Sequence, residues 1–229
     1  MRRLSLVSIL FEEPEQGPDA LFGKYMFDDQ RKDIKKSEKE KPTEEEENAL
    51  SALARYVGFN VKSDLDDVAP TLLALKQKNM YAPLLDPLRG GRVNVYRILF
   101  LNPETAKSVF NVDVSQQKGM LPAGTLNPTG TSQVQGWTTD PSMFYTILRK
   151  EKDKPVYIIL KASLKKNDNF FGNPKRLAGT VDDDFKHERE TLALGSVNYD
   201  KGIYFVSEPT QDSSEDLNQK LSFAIATIK

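Results

Sequence analysis

Three short stretches, in a fixed order along the chain, carry the residues able to do chemistry: Val95-Tyr96-Arg97-Ile98-Leu99 within an apolar run, Gly136-Trp137-Thr138-Thr139-Asp140, and Glu188-Arg189-Glu190-Thr191-Leu192-Ala193-Leu194. Glu188 and Glu190 stand two apart in a stretch that reads as a strand, which points both carboxylates to one face, roughly 6.5 to 7 Å apart along the chain. That face continues with Leu192 and Leu194. Two acids opening an otherwise apolar strand face are costly to desolvate, so stability alone is a poor reason for their presence. Arg97 supplies the opposite charge, because a guanidinium binds phosphate in bidentate fashion and stays ionised when partly buried. Together the three stretches suggest a site for an anionic, ribose-containing ligand.

Each stretch has a structural reading beside the chemical one. Arg97 taken alone can snorkel at a strand end or pair with a core carboxylate. Thr138, Thr139 and Asp140 can cap a helix starting at Pro141, and a hydroxyl that does so can still orient a carboxylate on a neighbouring strand. Glu188 and Glu190 can be solvated charges that guard an edge strand. Trp137, the sole tryptophan, suits either the core or a stacking surface. His187 reads as a polar neighbour of the site. The Asp182-Asp183-Asp184 run lacks the spaced ligands of a calcium loop and reads as a solvated loop.

Composition narrows the chemistry. The 229 residues are 38% hydrophobic and 28% charged, enough for one main domain with a real core and a smaller appendage. With 32 basic and 33 acidic residues, the net charge of −1 gives no general footprint for nucleic acid or an anionic membrane. The absence of cysteine excludes disulfides, thiolate-held zinc and thiol catalysis, and the single histidine gives no basis for a His-rich metal site or a Ser-His-Asp triad. Carboxylates, hydroxyls and arginine remain, and no metal is expected.

The elements that must position these residues follow from periodicity and punctuation. The opening residues, Met1 to Phe11, contain an apolar run that is short, meets Glu12-Glu13 and lacks a small-x-small cleavage pattern, so it reads as a strand or docking segment rather than a signal peptide. No stretch has the roughly 18 to 20 apolar residues of a bilayer span, so a cytoplasmic location is expected, with delivery by a signal-independent route as the alternative. Residues 28–48 are almost wholly charged and read as a linker running into a helix start. This divides the chain into an N-terminal segment, 1–42, and a domain, 43–229. Thr43-x-x-Glu46 is a capping-box pattern, with Leu50, Leu53 and Val57 at helical spacing until Gly58. A second helix is expected within residues 64–78, split or started by Pro70. From Arg92 the period changes to that of strands, with Arg97 in the middle of one buried on both sides. Asn102-Pro103 starts a helix over 104–110. A polar loop is expected over 111–135, a short helix over 141–148, and strands over 156–162, 188–194, 203–206 and 221–228. Helices first and strands afterwards, without βαβ alternation, predict an α+β fold with N-terminal helices packed on a mixed or antiparallel sheet.

Arg97 precedes Thr138 by 41 residues, and Thr138 precedes Glu190 by 52. In this order the stretches resemble the Arg–Ser/Thr–Glu class of mono-ADP-ribosyltransferases, a superfamily that includes binary-toxin enzymes and the transferases of tailed phages. In that family a Tyr-Arg strand, a Ser-Thr-Ser strand and a Glu-x-Glu strand line the NAD pocket. The resemblance covers roughly residues 43–229, with Thr138-Thr139-Asp140 standing where the family has Ser-Thr-Ser, so Thr138 or Thr139 matches its first serine. It implies a sheet core of the ADP-ribosyltransferase type and NAD as substrate. It implies that Tyr96, Arg97, Trp137, Thr138 and Thr139 hold NAD, and that Arg97, Thr138, Glu188 and Glu190 do the chemistry. In the family the carboxylate faces an oxocarbenium-like ribose as the nicotinamide bond breaks, and the Glu-x-Glu form favours an arginine of a protein acceptor. The loop of about residues 167–187, containing Phe170 and Phe171, would contact that acceptor. A phage enzyme, bacterial effector or toxin is implied. The alternatives are an NAD glycohydrolase, a transferase acting on nucleic acid, or a non-catalytic virion-associated module of the same fold tethered by residues 28–48.

Overall fold

The computed structural model describes residues 43–59, 65–78, 81–91, 93–128, 132–148, 153–173, 190–208 and 212–229. Expectations for residues 1–42, for the Asp182-Asp183-Asp184 run and for His187 and Glu188 lie outside the described residues.

Local sequence chemistry starts the first helix, α1 (Glu44–Phe59). The Thr43 backbone donates to Glu46 Oε2 at 3.0 Å and the Glu46 backbone donates to Thr43 Oγ1 at 3.3 Å, a closed capping box at a turn whose four glutamates complement the helix dipole. Helix α2 (Leu65–Leu75) buries Leu65, Ala69, Leu72 and Leu75. Pro70 neither splits nor starts it: the proline sits inside the helix with its ring exposed, and the apolar face opposite it offsets the one lost backbone bond. With the short α3 (Ala82–Leu85), these helices close a cluster of Leu50, Leu53, Tyr56, Leu72 and Leu85 over Phe171 and Leu192 of the sheet.

The sheet is built from β1 (Asn94–Leu101), β2 (Lys118–Leu121), β4 (Val134–Thr138), β5 (Val156–Ser163), β6 (Phe170–Phe171), β7 (Glu190–Leu194) and β9 (Lys201–Val206). Their order is β2-β9-β5-β1-β4-β7-β6, and every described pairing is antiparallel. The fold is therefore α+β with a large antiparallel sheet. Strands β3 (Gly124–Leu126) and β8 (Val197–Tyr199) pair apart from it. The unbroken apolar run of β5 is explained by cover on both sides. On one face Val95, Leu99, Ile158 and Leu160 pack with Ala106 of α4 (Pro103–Phe110) and with Leu126 and Val197 of the small sheet. On the other, Ile98, Tyr157, Ile159 and Phe205 pack against α6 (Ser214–Ile228) and Phe144 of α5 (Phe144–Ile147).

Three expectations are corrected. Residues 221–228 form the end of helix α6, not a strand. Leu221, Phe223 and Ile225 alternate only over a short window; the full pattern of Leu217, Leu221, Ala224, Ile225 and Ile228 is helical, and a Ser213–Asp216 capping box starts it. Residues 111–135 are not one loop, because they contain β2, β3 and the start of β4, short strands whose exposed positions hide the alternation. Phe170 and Phe171 are not loop residues open to an acceptor: they form β6 and are buried in the core. Among the described residues no helix is long and apolar enough to cross a membrane.

A joint in this sheet positions everything that follows. Strands β1 and β5 stay in register from Asn94↔Ser163 to Leu101↔Val156, and β4 and β7 from Val134↔Leu194 to Thr138↔Glu190. Between these two blocks, β1 and β4 register only at Tyr96↔Thr138. The far end of β4 is anchored by Asp66 of α2, whose Oδ1 accepts from Ser132 Oγ at 3.1 Å, the Gln133 backbone at 2.9 Å and the Val134 backbone at 2.8 Å. Asp66→Ala strands these donors and is expected to cost about 1 to 3 kcal/mol. Asp66→Asn, which keeps an acceptor oxygen, should cost clearly less. Urea unfolding of both variants checks this, and equal losses would show that the clasp does not hold β4.

Candidate functional site

The register places three of the sequence-identified residues in a line across three neighbouring strands. Tyr96 of β1 stands opposite Thr138 of β4, and Thr138 stands opposite Glu190 of β7. Directly opposed residues share a face, so residues separated by 42 and 52 positions in sequence meet on one side of the sheet. A cavity of about 260 Å³ opens there, lined by Tyr96, Arg97, Ile98, Gly136, Trp137, Thr138, Met143, Phe144, Ile147 and Glu190. Its apolar wall comes from the chain after β4. Asp140 Oδ1 caps a 3-10 turn at Ser142 with a 3.1 Å bond from the backbone, and the turn leads into α5, which presents Phe144 and Ile147.

Arg97 enters this cavity from an unexpected direction. Alternation along β1 puts it with Val95 and Leu99, on the face covered by α4. Arg97 nevertheless lines the cavity together with Tyr96 and Ile98 of the opposite face, and its Nη1 donates to the Gly136 carbonyl of β4 at 2.5 Å. Beyond the Tyr96↔Thr138 pair the antiparallel register would bring Ile98 to Gly136, so the side chain donates to a carbonyl that the parted ladder leaves open. Nε of Arg97 is buried without a hydrogen-bond partner among the described residues. Burial pulls the guanidinium below the ordinary arginine pKa, and the negative charge of Glu190 counters part of that shift.

Glu190 is held from outside the sheet. Tyr56 Oη of α1 donates to Glu190 Oε1 at 3.1 Å and to Oε2 at 3.2 Å. Its carboxylate lies over Gly136, where a Cβ would stand 1.8 Å from Oε1. Glycine at this strand position is thus required by close approach of a side chain.

Arg97, Thr138, Tyr96, Trp137 and Glu190 are brought together, whereas Thr139 is buried outside the cavity lining. Of the two threonines, Thr138 is the one aligned with Glu190 and facing the cavity. Its Oγ1 accepts from the Asp140 backbone at 3.0 Å. Trp137 is only 1% exposed and packs edge-on against Phe170, so most of its ring belongs to the core, although its Nε1 is buried without a partner among the described residues. The sequence gives no role to Gly136, which opens the second stretch, nor to Tyr56, Met143, Phe144 or Ile147. Gly136 was signalled by a glycine inside a strand pattern, and Tyr56 by a phenol on the buried stripe of a helix, where its hydroxyl needs a partner.

No family model, curated protein or solved structure matches the chain. The site must therefore be read from its own geometry. A fixed cation and a carboxylate flank one partly apolar cavity, an arrangement suited to a ligand that carries an anion and develops positive charge nearby. Because the atom that would clash is the far end of a flexible side chain, Gly136→Ala is expected to swing the Glu190 carboxylate away from Tyr56 rather than unfold the sheet. The expected cost is about 1 to 2 kcal/mol, or roughly 2 to 8 °C in Tm, with an unchanged far-ultraviolet spectrum. A Tm equal to wild type would mean that the carboxylate is not confined over Gly136.

Proposed function

We propose that the chain is an NAD-dependent mono-ADP-ribosyltransferase of the ADP-ribosyltransferase fold, modifying an arginine of a protein acceptor. The observation that carries this reading is the single lateral line of Tyr96, Thr138 and Glu190, with Arg97 lining the same cavity. The three stretches resemble that family in order and residue type, and Tyr96, Arg97, Thr138 and Glu190 line one cavity. The cavity volume of about 260 Å³ lies just below the about 300 to 1,000 Å³ usual for small-molecule sites, which suits one end of a dinucleotide rather than all of it.

In this reading Arg97 binds the pyrophosphate, and Thr138 with Tyr96 and the apolar wall seats the nicotinamide riboside. Cleavage of the glycosidic bond sends its electron pair to the pyridinium nitrogen, and nicotinamide leaves neutral. The ribose is left oxocarbenium-like, and the Glu190 carboxylate opposes that charge while accepting from a ribose hydroxyl. A guanidinium nitrogen of the acceptor then bonds to the anomeric carbon, and its proton passes to Glu188. Water in place of the acceptor would give the glycohydrolase reaction.

Release of nicotinamide by the purified chain, with and without cell lysate, tests the reading. Glu190→Ala should lower it by about 10² to 10³, or ~3 to 4 kcal/mol in barrier, and an unchanged rate rejects the assignment. Glu188→Gln should impair transfer more than hydrolysis; equal loss of both would put Glu188 in NAD binding. NAD at about a hundredfold over its Kd should raise the wild-type Tm by roughly 5 to 11 °C. Arg97→Lys loses the guanidinium fork, so that increment should shrink well beyond any change in the ligand-free Tm. An intact increment would make Arg97 a structural residue.

A further inference from the structure

We propose that Tyr56 is a positioning residue for Glu190, holding its carboxylate ionised and turned into the cavity. The inference rests on the reading of Glu190 given above. The phenol lies 134 residues away in sequence, on a helix rather than on any strand of the site, and it donates to both carboxylate oxygens at 3.1 and 3.2 Å. A donor placed between the two oxygens fixes the direction of the carboxyl group. The ring itself is immobile, because Tyr56 is 6% exposed and packed among Leu50, Leu53 and Leu72. Position is thus transmitted from the packing of α1 to the carboxylate. Packing alone does not ask for a hydroxyl, since phenylalanine would fill the same space.

A donor to a carboxylate favours its charged form, so the contact also bears on pH. Among the described residues, the charged or titratable groups around Glu190 are Tyr56 from α1 and Arg97 and Tyr96 from β1. Strand β4 offers Gly136 and Thr138, which do not titrate, and Asp140 beyond it has its carboxylate on Ser142.

The test compares Tyr56→Phe, which removes the donor and keeps the ring, with Tyr56→Leu, which removes both. Loss of one bond to a charged group should lower kcat for nicotinamide release on the order of tenfold, with KM for NAD nearly unchanged. The acid side of the pH profile should move to higher pH. Tyr56→Leu should melt lower than Tyr56→Phe without a further loss of kcat. A merely structural tyrosine predicts the reverse, with Tyr56→Phe keeping wild-type kcat and pH profile, and that result overturns the proposal. A readout independent of turnover is the carboxyl carbon resonance of Glu190 in the full chain labelled with 13C-glutamate, assigned by its loss in Glu190→Gln. Its titration midpoint should rise in Tyr56→Phe, and an unmoved midpoint also overturns the proposal. If the wild type releases no nicotinamide while the midpoint rises, the transferase reading falls and the positioning contact stands.

Discussion

The bond from the Arg97 guanidinium to the Gly136 carbonyl is the interaction on which the site depends. Antiparallel strands normally satisfy each other's backbone groups, and β1 does so with β5 along its full length. At the other edge of β1 the ladder stops after Tyr96↔Thr138. A backbone carbonyl left without a partner is costly, and at the part-buried Gly136 the Arg97 side chain supplies the donor where the two central strands part. Arg97 is long enough to reach the neighbouring strand and rigid enough to hold one direction once there. The cavity is thus the space obtained by replacing part of a sheet ladder with a side-chain donor.

That solution puts a cation where burial opposes it. The guanidinium is displaced below its ordinary pKa by desolvation, and the charge of Glu190 offsets part of that shift. Glu190 in turn can lie over β4 only because Gly136 carries no side chain. Residues 97, 136 and 190 therefore form one electrostatic unit, although 136 contributes only a carbonyl and the absence of a Cβ. A site assembled in this way stays rigid because both flanking blocks of sheet are continuous, and Asp66 pins the free end of β4.

Local chemistry made part of this readable from the sequence. The Thr43–Glu46 box, the Asn102 cap before Pro103 and the apolar run of β5 are short-range signals, and each led to the observed element. The α+β class followed from their order. Elements defined by distant partners were not readable: β2 is an edge strand carrying Lys118 and Met120 outward, and β8 is three residues long and held by β3. Helix α6 was hidden by a window too short to separate a period of 2 from 3.6. Within the site, charge and hydroxyl chemistry singled out Arg97, Thr138 and Glu190. Tyr56 was not singled out, because the sequence does not show that its hydroxyl faces a carboxylate 134 residues later. The bond from Arg97 to the Gly136 carbonyl could not be read either, since it depends on where β1 and β4 cease to pair.

Charge balance limits what the cavity can accept. With Arg97 and Glu190 both ionised, the pair is close to neutral, and each stabilises the other at low local dielectric. An anion binding at Arg97 alone would leave the Glu190 charge less compensated and would oppose it at short range. A cation at Glu190 alone would do the same to Arg97. A ligand that brings an anionic group to one and positive charge to the other keeps both satisfied, and the match improves as the positive charge grows. For the transferase proposed above, this is the condition for binding a transition state more tightly than a ground state. Arg97 and Glu190 extend from strands on opposite sides of β4, so their separation is set by the sheet rather than by flexible loops. In the proposed reading, the placement of the two charges thus follows from the joint between β1 and β4, the same feature that opens the cavity.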